Sequence, residues 1–179
     1  MGTKNNKERK DLIGEHKTTD AGQAIFALLF LIVWITDSFI LRYSVSLNQV
    51  IPFIIRIPAG ILVLIASAYI SLTGHQIIFD EVREKPEVIS RSVFGIVRHP
   101  IYLGEILAYF GLLLFSISLA SAFIWLLTCI FLHYVSRYEE KLLVDHFGDE
   151  YKTYMEKVPM WLPKIGSLLR NKKQISNKK

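Results

Sequence analysis

The chain has 179 residues, and a hydrophobic content of 51% with a positive mean hydropathy places it outside the range of an ordinary soluble domain. Its net charge of +5 does not point to nucleic acid, because the basic residues gather at the ends of apolar runs and not over a soluble face. The single cysteine, Cys129, lies in an apolar run, which excludes a disulfide within the chain and a cysteine zinc site.

Residues 1–20 are polar and lysine-rich with no apolar period, and are expected to form a mobile tail. Residues 21–41 supply about 31 Å of apolar helix at 1.5 Å per residue, enough to cross a bilayer and too long for a removable signal peptide. Residues 50–73 form a second such run, with Pro52 near its start, Pro58 inside it as an expected kink, and Gly74 as its expected close. The apolar stretch 101–136 is too long for one helix and divides into spans 101–118 and 120–136, joined near Ser118. Its aromatics Tyr109, Phe115 and Trp125 fit packing or interface positions better than a cofactor box. From Arg137 onward, Leu142, Leu143, Phe147, Tyr151 and Tyr154 recur at three- and four-residue steps among charged residues. That pattern predicts an amphipathic helix, broken once at Gly148, followed by a basic tail over 165–179 suited to anionic membrane lipids.

Lysine and arginine precede the first run, fill the segment between the second and third, and follow the fourth, whereas only Arg42 falls in an opposite-side loop. The positive-inside rule then places both termini in the cytosol. The expected fold is an all-α integral membrane bundle of about four transmembrane helices with a cytosolic C-terminal amphipathic helix. It forms one multi-pass domain over 21–164, with polar cytosolic regions at 74–100 and 137–164. Asp37 and Arg56 fall inside adjacent spans at similar depth from the outer face, where an unpaired charge is costly, and are expected to form an ion pair.

Two polar clusters carry the candidate chemistry. Pro100 suits the first turn of a helix, so the third span opens at Arg98-His99-Pro100-Ile101-Tyr102 with its free amides and positive dipole end toward the cytosol. Such an end can hold a cofactor carboxylate beside Arg98 and His99, or the pair can simply anchor the helix at the interface. Arg137, Glu139 and Glu140 emerge from the fourth span on the same side. Paired carboxylates there can stabilise a sulfonium or bind ribose hydroxyls, or merely complement a helix dipole. Glu105 adds a carboxylate one turn inside the third span.

The run RHPIYLGE, followed by EEKLLVDHFGDEYKTYMEKVPMWLP, resembles the isoprenylcysteine carboxyl methyltransferase family and its phospholipid methyltransferase relatives over residues 74–164. The resemblance implies a helical membrane methyltransferase that uses S-adenosylmethionine at the cytosolic edge, needs no metal, and acts on a lipophilic methyl acceptor within the bilayer. It implies cofactor contacts at His99, Pro100, Ile101, Tyr102 and Glu139, at Glu87, Val88 and Ile89 along the adenosine, and at Phe94, which stands where the family has tyrosine. It implies catalytic roles for Arg98 and Glu140, with Glu105 or Glu140 as proton acceptor should the nucleophile carry a proton. The family's substrate-carboxylate arginine is replaced by Val135. Arg137 is the nearby candidate substrate contact, although it lies about 200° round the helix from Val135. A phospholipid amine and a small thiol are the alternative acceptors. A nicotinamide-dependent reductase relative and a non-enzymatic scaffold are the readings of other classes.

Overall fold

In hydrocarbon a chain must satisfy its backbone polar groups internally, and long apolar runs do so as helices. The computed structural model describes residues 17–80 and 86–162, and among these residues it contains helices and turns but no strand. Helix α1 (Lys17–Ile35) runs on through a π-helical stretch (Thr36–Leu41), and a short α2 (Leu47–Val50) follows. Helix α3 (Phe53–His75) continues as a second π-helical stretch (Gln76–Asp80), and a 3-10 turn (Ser92–Gly95) leads into α4 (Pro100–Phe115). Helices α5 (Leu119–Phe147) and α6 (Asp149–Lys157) complete the order.

The chain is a helical membrane bundle: Thr19–Leu41, Phe53–Asp80 and Leu119–Phe147 are each long and apolar enough to cross a membrane. The expected third span is the shorter α4. Its 16 residues make about 24 Å of helix, because it begins at Pro100 and ends where Ser116 turns extended.

Three boundaries differ from expectation. Lys17 to Asp20 belong to α1, so the expected tail is helical at its end, while residues 1–16 and the basic tail 165–179 lie outside the described residues. Gly74 does not close the second span: it is buried within α3, where an added Cβ would stand 2.9 Å from Ile101 Cγ1, and it serves close packing against the start of α4. No break separates the fourth span from the amphipathic segment, because the face that packs inward before Arg137 carries straight on to Phe147. Gly148, at φ 57°, then breaks the helix as expected.

Small residues set the distance between α3 and α4, which run antiparallel. Gly60 faces Gly111, and a Cβ on Gly111 would come within 2.8 Å of Leu64; Gly104 faces Ser67 and Ser71, and Ser67 Oγ donates to Gly104 O at 2.6 Å. Beside this seam Phe30 of α1 stacks on Tyr109 of α4, with ring centroids 4.6 Å apart, and Leu113, Trp34 and Trp125 complete the core.

Asp37 and Arg56 are both buried at one end of the bundle and do not pair with each other. Asp37 accepts from the amides of Tyr43 and Ser44 (3.0 and 3.1 Å) and from the hydroxyls of Ser44 and Ser118 (2.5 Å each). Arg56 donates to Asn48 Oδ1 (2.8 Å) and to the carbonyls of Ile51 and Phe115 (2.9 Å each). Loop dipoles and the carbonyl end of α4 neutralise each charge separately, so the expected ion pair is corrected to two hydrogen-bonded sites.

Candidate active site

The opposite end of the bundle brings the two polar clusters together. His99 is the residue before the first turn of α4, and Pro100 occupies that turn, where its missing N–H leaves no orphan. The His99 ring is buried, stacks on Tyr102 at 5.8 Å, and has Trp161 on another side at 6.0 Å. Its Nε2 lies 3.2 Å from Glu140 Oε1 and its Nδ1 lies 3.7 Å from Glu139 Oε2, while the Tyr102 hydroxyl donates to Glu139 Oε1 at 2.5 Å. Glutamates on consecutive positions of α5 thus hold one imidazole from two sides.

Arg98 locks α6 onto this junction. Its guanidinium donates to Glu140 Oε1 (2.7 Å) and to the carbonyls of Met155 (3.1 Å) and Val158 (2.6 Å), and its amide donates to Pro159 O (3.0 Å). These are carbonyls that a helix end leaves without partners. At 29 residues α5 is about 43 Å long, more than the ~30 Å of a hydrocarbon core, and Glu140 lies in its polar end beyond the apolar residues 120–136. Burial would raise its carboxyl, but hydrogen bonds from His99 and Arg98 and their charge hold it below the ordinary glutamate range. Its second oxygen, Oε2, is buried with no partner.

These residues wall a cavity of about 260 Å³. Asp20 and Gln23 of α1, His75, Ile78 and Phe79 at the end of α3, the segment Glu87 to Ile89, Phe94, Arg98 to Tyr102, Glu139, Leu143 and Phe147 of α5, and Tyr151 and Tyr154 of α6 line it. Tyr154 ties α6 to the 3-10 turn by donating to Phe94 O at 2.7 Å.

Of the residues singled out in the sequence, Glu87, Val88, Ile89, Phe94, Arg98, His99, Pro100, Ile101, Tyr102 and Glu139 share this lining. Three do not. Glu140 sits behind the wall as an anchor for Arg98 and His99. Glu105 accepts from Tyr109 at 2.7 Å, away from the cavity. Arg137 is exposed on the outside of α5 and does not line the cavity, in keeping with its place on the far side of the helix from Val135. Sequence reasoning missed Asp20 and Gln23, and it placed His75, Ile78 and Phe79 within the region 74–100 without singling them out. Leu143, Phe147, Tyr151 and Tyr154 were visible as an apolar face, but not as a cavity wall.

Fold and cavity together define a multi-pass helical membrane protein with a ligand-sized, mixed aromatic and acidic cleft at one end of its bundle. The phospholipid methyltransferase family model matches residues 55–150, which include both polar clusters, and the chain belongs to that family. This bears out the resemblance carried by RHPIYLGE and the paired glutamates. Among similar proteins are a methanethiol S-methyltransferase of Pseudomonas sp. (strain GM41(2012)), 35% identical over 88 residues, and methanethiol S-methyltransferase 1 of Bradyrhizobium diazoefficiens, 37% identical over 85 residues. A methanethiol S-methyltransferase of Pseudomonas deceptionensis is 34% identical over 86 residues. The matches cover 44 to 45% of this chain and 27 to 30% of those proteins, so the chain spans less than a third of the relatives it matches. No solved structure matches it.

Proposed function

We propose that the chain is a membrane methyltransferase that takes its methyl group from S-adenosylmethionine and delivers it to a thiol acceptor at or within the bilayer. The observation that carries this reading is the meeting of His99 and Glu139 on the wall of one cavity at the amino end of α4. The Lys and Arg distribution supports a cytosolic position for that cavity and for both termini.

The cavity residues suit this cofactor. Asp20, Glu87 and Glu139 offer carboxylates for a sulfonium and for ribose hydroxyls, the first-turn amides and dipole of α4 suit a carboxylate, and Phe79, Phe94 and Ile89 suit a purine. When bound, the cofactor supplies a methyl group made electrophilic by its sulfonium. The chain's part is to desolvate and align the acceptor, with Tyr102 holding Glu139 in place and α6, locked by Arg98, keeping bulk water out.

The acceptor follows from the cations. A prenylcysteine carboxylate needs a free guanidinium, but Val135 stands at the family's arginine position, Arg137 is outside the cavity, and Arg98 is committed to Glu140 and two carbonyls. A thiol needs no such cation, and the similar proteins are named as thiol methyltransferases. The acidic lining also suits a protonated amine, which makes an aminophospholipid the second reading.

The test is to incubate the protein in lipid nanodiscs with labelled S-adenosylmethionine and, in parallel, a small alkyl thiol, a prenylcysteine and an aminophospholipid. Label is expected in the thiol, and Glu139→Ala is expected to abolish cofactor binding. Absence of cofactor binding in the unaltered protein overturns the methyltransferase reading. Label in prenylcysteine alone overturns the acceptor assignment.

A further inference from the structure

A thiol must shed a proton before or as its sulfur takes a methyl group, so the reading above, on which this inference rests, needs a base in contact with the acceptor. The carboxylates offer none that fits. Glu105 and Glu140 do not line the cavity, and each is engaged elsewhere, by Tyr109 and by Arg98 with His99. Asp20 and Glu87 are exposed, and Glu139 is engaged by the Tyr102 hydroxyl. Imidazole is the side chain whose basicity matches a thiol at neutral pH. Two imidazoles line the cavity. His75 lies 2.9 Å by Nδ1 from Ser71 O, stacks on Phe79, and makes no ion pair with a described residue.

We infer that His99 is the catalytic base and that Glu140 is the residue positioning it. With Nε2 at 3.2 Å from a carboxylate oxygen that already accepts from Arg98, the hydrogen-bond network assigns the ring proton to Nε2. That leaves Nδ1 as the basic nitrogen, and Glu139 Oε2, 3.7 Å away, is beyond hydrogen-bond length but close enough to stabilise an imidazolium. The groups facing the ring are Glu139 and Glu140 from α5, Arg98 and Tyr102 around the start of α4, and the indole of Trp161.

The step balances as follows. The S–H bond of the thiol breaks and its proton passes to Nδ1, leaving the electron pair on sulfur. That pair forms the new C–S bond to the methyl carbon of the sulfonium donor, whose own C–S bond breaks and returns its electrons to the departing thioether. The imidazolium releases its proton to water when the product leaves. A carboxylate acceptor would need none of this, so the base and the acceptor class stand together.

The experiment uses the full chain in nanodiscs with S-adenosylhomocysteine, the demethylated product, in place of the methyl donor. An alkyl thiol is added and thiolate is read by its ultraviolet absorption. The unaltered protein is expected to bind S-adenosylhomocysteine and generate thiolate at neutral pH, whereas His99→Gln, assayed at S-adenosylhomocysteine concentrations that saturate it, generates no thiolate. In turnover, His99→Gln is expected to lose at least about a hundredfold on the alkyl thiol, and less than about tenfold on an aryl thiol that is already ionised. Equal losses on both thiols, or thiolate generated by His99→Gln saturated with S-adenosylhomocysteine, overturn the base assignment while leaving the methyltransferase reading intact. No S-adenosylhomocysteine binding by the unaltered protein overturns that reading instead. Should His99→Gln fail to fold, nitrogen NMR of the unaltered chain, which has five histidines, decides the matter. Thiol addition is expected to convert one imidazole to imidazolium, and no conversion overturns the assignment.

Discussion

Arg98 Nε stands 2.7 Å from Glu140 Oε1, with the two side chains only 9% and 4% exposed. Through this contact the turn before α4, the emerging end of α5 and the last turn of α6 become one unit, since Arg98 also donates to the carbonyls of Met155 and Val158. That junction, together with the bond from the Tyr154 hydroxyl to Phe94 O, holds α6 against the cavity.

Removing the carboxylate leaves a buried guanidinium uncompensated. Glu140→Ala is therefore expected to destabilise the protein by about 3 kcal/mol or more, read as a drop in Tm in detergent, whereas Glu140→Gln, which keeps an acceptor, loses less. The pH dependence has a definite sign. Because the folded carboxyl titrates below its ordinary value of 4.5, its contribution is complete above that pH and is lost as pH falls through the lower folded value. Acid unfolding of Glu140→Gln is expected to lack that part of the transition. An unchanged acid profile would show that Glu140 carries no such charge.

Tyr102 tests the other half of the site. Its hydroxyl donates to Glu139 and its ring stacks on His99, so Tyr102→Phe keeps the stack and removes only the bond. A hydrogen bond to a charged group contributes about 1.5 kcal/mol or more, so Tm is expected to fall modestly and cofactor affinity by calorimetry to fall by about tenfold. Tyr102→Ala, which removes the stack as well, is expected to fall further.

Much of this site was legible because its two walls are local signals: a proline-started helix preceded by Arg98 and His99, and consecutive glutamates where an apolar helix emerges. What joins them was not legible. Asp20 and Gln23 sit at the start of an apolar run, and nothing nearby in sequence says that α1 delivers them beside α4. Gly74 reads locally as a helix end, yet the close approach of Ile101 makes it an interior position. Asp37 and Arg56 invite pairing because hydropathy sees only two buried charges. The serines, Asn48 and the Phe115 carbonyl that satisfy them come from loops and a helix end whose placement is tertiary.

That correction carries its own test. Asp37 accepts four hydrogen bonds that tie the loop after α1 to the cap of α5, where Ser118 also bonds Ser121. Asp37→Asn replaces one acceptor oxygen with a donor, and is expected to destabilise the bundle by about 1 to 3 kcal/mol. Because this network lies at the end away from the cavity, cofactor affinity is expected to be unchanged. A matching loss of cofactor affinity would show that the two ends are coupled.

The helix seam gives a contrast between two glycines. An added Cβ at Gly104 would come within 2.7 Å of Ser71 Cβ and 3.2 Å of Ser67 O, the latter a backbone atom that cannot turn aside. Gly104→Val must therefore part α3 from α4 and break the bond from Ser67 Oγ, and because Gly104 is one turn into the helix that starts at Pro100, the cavity wall moves with it. Overpacking of this kind costs about 1 to 3 kcal/mol, and cofactor binding is expected to weaken together with Tm. At Gly148 an added Cβ meets nothing within 4 Å, and the penalty is the backbone itself, whose φ of 57° and ψ of −128° form a conformation open to glycine. Gly148→Ala and Gly148→Asn are both expected to cost about 1 to 3 kcal/mol, because ψ −128° lies outside the left-handed helical region that asparagine tolerates, with cofactor affinity retained in both. Paired thermal-unfolding and calorimetry measurements on the variants decide between the two mechanisms: a Gly104→Val protein that lost stability but kept full cofactor affinity would show that the seam does not position the site.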